Sequence, residues 1–292
     1  MRLRVRDAFA KVNLTLRVLR KRADGYHDIE SLVVFVRLAD RLEWSRQADI
    51  DGLTLQLSGD FAGDTPAGEE NSILRAADLF ARRYGISLGG HVSLEKRIPA
   101  AAGLGGGSSD AAAMLNALGE ENTGGELEAL ALDIGADVLA CFRSQKEMRA
   151  CIMSGRGENI HAINSLPQIS LLLVKPPGAL SAGEVYRRWD ELGEEEKGAL
   201  NDMPAEDVTL KELVSWCRVR GNDLETAAIS LLPEVQAVLD SLKESRDCLL
   251  ARMSGSGPAC FGIYENSDAV EQARAMLARD HPDWWLCATT IR

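Results

Sequence analysis

Long apolar runs are missing from this 292-residue chain, and no stretch approaches the roughly 20 residues that span a bilayer. A membrane partner is therefore not expected. The opening Met1-Arg-Leu-Arg-Val-Arg-Asp7 is basic and lacks the apolar core of a secretory signal, so a cytoplasmic protein is expected. Basic charge is also scarce. Lys and Arg number 33 against 44 Asp and Glu, and the net charge of −11 argues against a nucleic-acid binder, which needs a basic face. Cys141, Cys151, Cys217, Cys248, Cys260 and Cys287 form no C-x-x-C pair, which predicts buried free thiols in a reducing compartment. His27, His91, His161 and His281 are too widely spaced to predict a metal cluster.

What is present is an ordinary globular composition, 46% hydrophobic and 26% charged, in a chain long enough for one or two domains. The rest is organised around Ile98-Pro-Ala-Ala-Ala-Gly-Leu-Gly-Gly-Gly-Ser-Ser-Asp-Ala-Ala-Ala113. A loosely alternating segment, 91–97, precedes it, and Asp110–Leu118 is rich in helix formers. Glycines let a backbone turn sharply and approach a ligand. Ser108, Ser109 and Asp110 are good N-cap residues, and a helix start is a natural anion site. The loop thus reads as a phosphate cradle; the alternative is a glycine turn before a capped helix, binding nothing. It is no Walker A loop, since no Gly-Lys-Ser/Thr closes it, and no dinucleotide fingerprint, since G-x-G-x-x-G is absent. The H-R-D and D-F-G elements of protein kinases are missing too.

Along the chain, alternation predicts strands at 2–6 and 8–18, with Lys11 and Asn13 on one face. Arg22-Ala-Asp-Gly-Tyr-His27 is a turn that presents Tyr26 and His27 before a strand at 29–36. Strands with turns follow over 40–57, then an acidic loop at 59–70. A helix runs from Asn71 to Arg83 and stops at Gly85, and another covers 127–134 after a linker at 119–125. Asp137, just past that helix and Gly135, is either a cap or a reactive group, and position alone favours the cap. Further strands are expected near 150–160, at 169–174, 249–253 and 259–264 and near 285–291. Helices are expected at 181–190, from 226, and at 234–242 and 268–279, with an acidic loop at 193–198. A domain boundary is placed near 160. A second glycine–serine turn, Ser254-Gly-Ser-Gly-Pro258, joins two apolar strands.

Three motifs together resemble the GHMP small-molecule kinase superfamily, over nearly the whole chain. They are Ala10-Lys-Val-Asn-Leu14 with Arg22–His27, the loop from Pro99 to Ser109, and Ser254-Gly-Ser-Gly-Pro-Ala-Cys260. The resemblance implies an α+β fold of two domains, 1–160 and 161–292, with the active site in the cleft between them. It implies ATP-dependent phosphorylation of the 2-hydroxyl of a cytidine diphosphate-linked methylerythritol, in isoprenoid precursor synthesis, with ATP and Mg²⁺ as cofactors. By the same resemblance Pro99, Ala100, Ala101, Ala102, Gly103, Leu104, Gly105, Gly106, Gly107, Ser108 and Ser109 hold the ATP phosphates, and Asn71 lies near the adenosine. Lys11 and Asp137 match the catalytic pair, and Ser109 is a candidate Mg²⁺ ligand. Asn13, Tyr26, His27 and Tyr186 match substrate contacts, with the cytosine stacked between the two tyrosines. Leu139 stands where the family usually has proline. Ala101 and Ala102 stand where some members have glycine, which the loop accommodates if both adopt negative φ. A monomer or weak homodimer is expected. A homoserine- or mevalonate-type kinase and an inactive nucleotide-binding regulator are the alternatives.

Overall fold

The computed structural model describes residues 3–47, 50, 52–119, 126–146, 148–193, 198, 204 and 207–292. The chain folds into two compact units that interleave along the sequence. One comprises 1–11, 38–100 and 105–148, the other 12–37, 101–104 and 149–292. The division therefore does not follow the sequence halves 1–160 and 161–292. The 20-residue strand His27–Arg46 contributes to both units, which a division into consecutive halves cannot represent.

The elements in chain order are β1 (Leu3–Asn13), β2 (Arg17–Lys21), β3 (His27–Arg46), β4 (Gly52–Ser58), α1 (Ser72–Tyr84), β5 (Gly89–Glu95), α2 (Gly106–Gly119), α3 (Leu127–Ile134) and α4 (Ala136–Ser144). They continue with β6 (Ala150–Gly155), β7 (Asn159–Ile163), β8 (Ser170–Lys175), α5 (Ala182–Leu192), α6 (Leu210–Arg220), α7 (Glu225–Leu231), α8 (Glu234–Glu244), β9 (Cys248–Met253), β10 (Cys260–Tyr264), α9 (Ser267–Asp280) and β11 (Trp285–Thr290). The chain is α+β, as predicted.

In the first unit β5 runs antiparallel to residues 41–46 of β3 and parallel to β4. The helix α2 is the hub of this unit and packs against α1, α3 and α4. Its residues 109–115, which are Ser109, Asp110, three alanines, Met114 and Leu115, are all buried. Small side chains let neighbouring helices approach on every side. The Asn71 side chain caps α1 by accepting the Ile73 amide at 2.9 Å, and Gly85, in the left-handed region at φ 62°, ends it.

In the second unit residues 29–34 of β3 pair antiparallel with β6, and β6 with β7. A separate antiparallel sheet has the order β11-β8-β10-β9, and α8 and α9 pack on it. Its apolar cluster includes Leu172, Val174, Trp189, Val235, Leu239 and Tyr264, all buried. Two helices went unread in the sequence. One is α6, although Thr209 and Glu212 form a complete capping box. The other is α4, which begins immediately after α3 at Gly135. The linker beyond Gly119 and residues 194–197 of the acidic loop lie outside the described residues. All six cysteines are free thiols. Among the described residues no helix is long and apolar enough to cross a membrane.

Candidate active site

The glycine loop leaves β5 and enters α2 four residues earlier than expected. The helix starts at Gly106, so Ser108, Ser109 and Asp110 lie inside its first turns and none of them caps it. The first helical bond runs from the Ser109 amide to the Gly105 carbonyl, at 2.9 Å. The opening amides of a helix have no intrahelical acceptor and point outward, which makes this loop a donor array for anions.

Two glycines are required by their surroundings. Gly105 sits at φ 67°, and a Cβ there would lie 2.6 Å from Lys11 Cγ. Gly103, at φ 76°, would drive a Cβ to 2.3 Å from the Ser254 carbonyl. Ala101 corrects the expectation of negative φ: it adopts φ 47°, in the left-handed region. Ala102 is not among the positive-φ residues.

The second glycine turn supports the first. Ser254 Oγ donates to the Gly103 carbonyl at 3.1 Å and accepts the Asn13 amide at 3.1 Å. The Ala259 amide donates to the Ala102 carbonyl at 3.1 Å. Asn222 ties down the turn itself, donating to the carbonyls of Met253 and Gly255, both at 2.8 Å.

Lys11 extends from β1 alongside Gly105. Its Nζ lies 3.1 Å from Asp137 Oδ2. The pair is asymmetric: the Lys11 side chain is 8% exposed and that of Asp137 37%, so the carboxylate is the accessible partner. Asp137 is not a cap. It stands in the first turn of α4, where the positive end of the helix favours a carboxylate, and Gly135 occupies the N-cap without a side-chain bond. Leu139 is buried inside the same helix. Lys11, Gly105 and Asp137, remote from one another in sequence, are thus brought together within one unit.

Other predicted residues are spent on structure. Ser109 is fully buried, with Oγ donating to the Phe9 carbonyl at 2.6 Å, so its hydroxyl does not fit the role of a Mg²⁺ ligand. Asn71 uses its oxygen on the cap and its amide nitrogen on the Pro66 carbonyl, at 2.6 Å. Its neighbour Ser72 reaches the loop, with Oγ 3.5 Å from where a Gly107 Cβ would be. Asn13 is buried and donates through Nδ2 to Ser31 Oγ at 2.7 Å.

Beneath the loop lies a cluster that sequence reasoning missed. Lys96 Nζ bonds Asp40 and, at 2.7 Å, Asp110 Oδ2. Asp40 Oδ1 also accepts the amides of Arg97 and Ile98, at 2.6 and 2.8 Å. The side chains of Lys96, Asp40 and Asp110 are all buried. Burial, reinforced by the Asp40 carboxylate and opposed by the Lys96 ammonium, pushes the Asp110 carboxyl up to about 8. The Lys96 ammonium is held above its usual range: burial opposes this, and the two carboxylates outweigh it. The only signal in the sequence was a lysine at the end of an apolar strand, which normally reads as solvated.

The aromatic residues occupy the second unit. Tyr26 is 59% exposed, with the Arg156 guanidinium 5.2 Å from its ring centre. His27 is buried and faces α5. Tyr186 stacks on it at 4.9 Å with 22° between planes, and Nε2 meets Asp190 Oδ1 at 2.8 Å.

Two family models match the chain: GHMP kinases N terminal domain over residues 71–145 and GHMP kinases C terminal over 207–283. A 4-diphosphocytidyl-2-C-methyl-D-erythritol kinase of Parvibaculum lavamentivorans is 44% identical over 289 residues, 96% of this chain and 95% of its own. The chain belongs to the GHMP kinase family. A second 4-diphosphocytidyl-2-C-methyl-D-erythritol kinase, from Chelativorans sp., is 40% identical to this GHMP kinase, covering 97% of the chain and 94% of its own length. A crystal structure of 4-(cytidine 5'-diphospho)-2C-methyl-D-erythritol kinase superposes with TM-score 0.76 at 33% identity, covering 99% of this chain and all of the other. An L. major mevalonate kinase reaches TM-score 0.70 at 14% identity, over 99% of this chain and 96% of its own, which shows the fold alone. Within the GHMP kinase, the N-terminal match contains Asn71, the glycine loop and Asp137. Lys11, Tyr26, His27 and Tyr186 fall outside both matches.

Proposed function

We propose that this chain is a 4-diphosphocytidyl-2-C-methyl-D-erythritol kinase, an ATP-dependent phosphotransferase that phosphorylates the 2-hydroxyl of that alcohol in isoprenoid precursor synthesis. Relatives of that name at about 40% identity over nearly the full chain support the substrate. The observation that carries the chemistry is the Lys11–Asp137 pair beside Gly105.

Loop amides from 103 to 108 hold the phosphate oxygens, and the absence of Cβ atoms at Gly103 and Gly105 lets the loop pack against Ser254 and Lys11. Asp137 accepts the proton of the attacking hydroxyl as its oxygen bonds to the γ-phosphorus and the bond to the bridging oxygen breaks, releasing ADP. Lys11 orients that carboxylate and offsets charge on the transferring group. Mg²⁺ held by the nucleotide's phosphates would supply charge compensation at the transferring group, beside Lys11. In the second unit, Tyr26, His27 and Tyr186 contact the cytosine, where each base–aromatic contact contributes about 1–3 kcal/mol.

The test is a coupled ADP-release assay over a substrate panel. Turnover with 4-diphosphocytidyl-2-C-methyl-D-erythritol, and at least about 100-fold less with homoserine or mevalonate, is expected. Comparable turnover of either alternative, or none with the cytidine substrate, rejects the assignment.

A further inference from the structure

One helix grips His27 with three residues. Tyr186, Trp189 and Asp190 stand at i, i+3 and i+4 on α5, so they share a face. Tyr186 stacks on the imidazole, and Trp189 meets it edge-on at 5.6 Å and 87°. Asp190 bonds the ring through Oδ1 at 2.8 Å, while its Oδ2 accepts Lys21 Nζ at 2.5 Å. The ring plane is therefore fixed by two aromatic contacts and its rotation by one polar contact.

The proton on that contact can be assigned. Burial works against charge on Asp190, and the Lys21 ammonium and the His27 ring outweigh it, so the carboxyl is held below the usual carboxylate range. An ionised carboxylate accepts and never donates. In the neutral ring, Nε2 then carries the hydrogen and Nδ1 is left as a lone-pair acceptor. The His27 ring makes no other hydrogen bond among the described residues.

We infer that Asp190 is a positioning residue for base selection: by fixing the tautomer of His27 it leaves an acceptor at Nδ1 that takes the 4-amino donor of cytosine and rejects the 4-keto oxygen of uracil. The inference rests on the cytidine reading above, and it names a residue outside the stretches matched by the family models. Two acceptors facing each other leave both unpaired, and that penalty makes such discrimination large. Asn at 190 keeps the shape but presents either an acceptor or a donor to Nε2, so both tautomers become accessible.

The experiment compares wild type and Asp190→Asn at pH 8. The enzymes are assayed with 4-diphosphocytidyl-2-C-methyl-D-erythritol and with its uridine-linked counterpart. Nitrogen-15 NMR of the imidazole reads the tautomer in the same samples. The Nε2–H tautomer is expected in wild type, with the ratio of kcat/KM for cytidine over uridine falling about tenfold in the variant. An unchanged ratio in the variant, or an Nδ1–H tautomer in wild type, overturns the inference and leaves the kinase assignment standing. Wild-type inactivity toward both substrates rejects the assignment and the inference together.

Discussion

Gly105 and Ala101 show how single residues set the geometry of the loop. Gly105 has two independent reasons to lack a side chain, its φ of 67° and the 2.6 Å approach to Lys11 Cγ. Gly105→Ala is expected to cost about 1–2 kcal/mol from the left-handed backbone alone. It also displaces Lys11, so turnover should fall further than a stability loss explains. Thermal unfolding and kcat measured side by side check this, and a stable variant with unchanged kcat contradicts it. Ala101, at φ 47°, carries the opposite strain. Glycine there relieves about 1–2 kcal/mol and loses about 0.5–1 kcal/mol to the looser unfolded chain. A net stabilisation of about 0.5–1 kcal/mol in Ala101→Gly denaturant melts is the expected outcome; destabilisation contradicts it.

Helix α2 and strand β5 are joined by the Lys96–Asp40–Asp110 cluster, and its acid–base behaviour belongs to that junction. Asp110 has a folded-state pKa raised to about 8 from the ordinary 3.8, chiefly by burial. Between those values the folded protein holds a proton that the unfolded chain has lost. Stability from this group is therefore complete at low pH and declines as pH rises toward 8. Asp110→Asn removes the titration while keeping the shape. The midpoint of the variant relative to wild type should rise between pH 5 and 8 and level off above; a constant difference refutes the account. The same junction shows which elements were legible. β5, α1 and α2 announce themselves through alternation, the Asn71 cap and Gly85, and the alanine run, all of which are local. The cluster was not legible, because Asp40 and Lys96 meet only through the antiparallel pairing of β3 with β5. The start of α2 was misjudged for a related reason. Glycines argue against helix by propensity, yet Gly106 and Gly107 lie within its first turn, where Ile98 Cγ2 would be 3.2 Å from a Gly106 Cβ and leaves little room for a side chain. Asp137 was ambiguous from position, and only the arrival of Lys11 decides between cap and ion pair.

For the whole molecule, the net charge of −11 opposes two anionic substrates, so attraction must be local. Lys11 at the glycine loop and Arg20, Lys21 and Arg22 on the β2–β3 hairpin supply it, although the hairpin cations also meet Asp24, Asp28 and Asp190. The fold brings three sequence-distant pieces, the end of β1, the glycine loop and the start of α4, to one place. That convergence is the central claim, and Asp137→Asn tests it most directly. ATP–Mg²⁺ binding, followed by thermal shift, should persist while kcat falls about 100- to 10,000-fold. Turnover within a few-fold of wild type would contradict the role given to the pair.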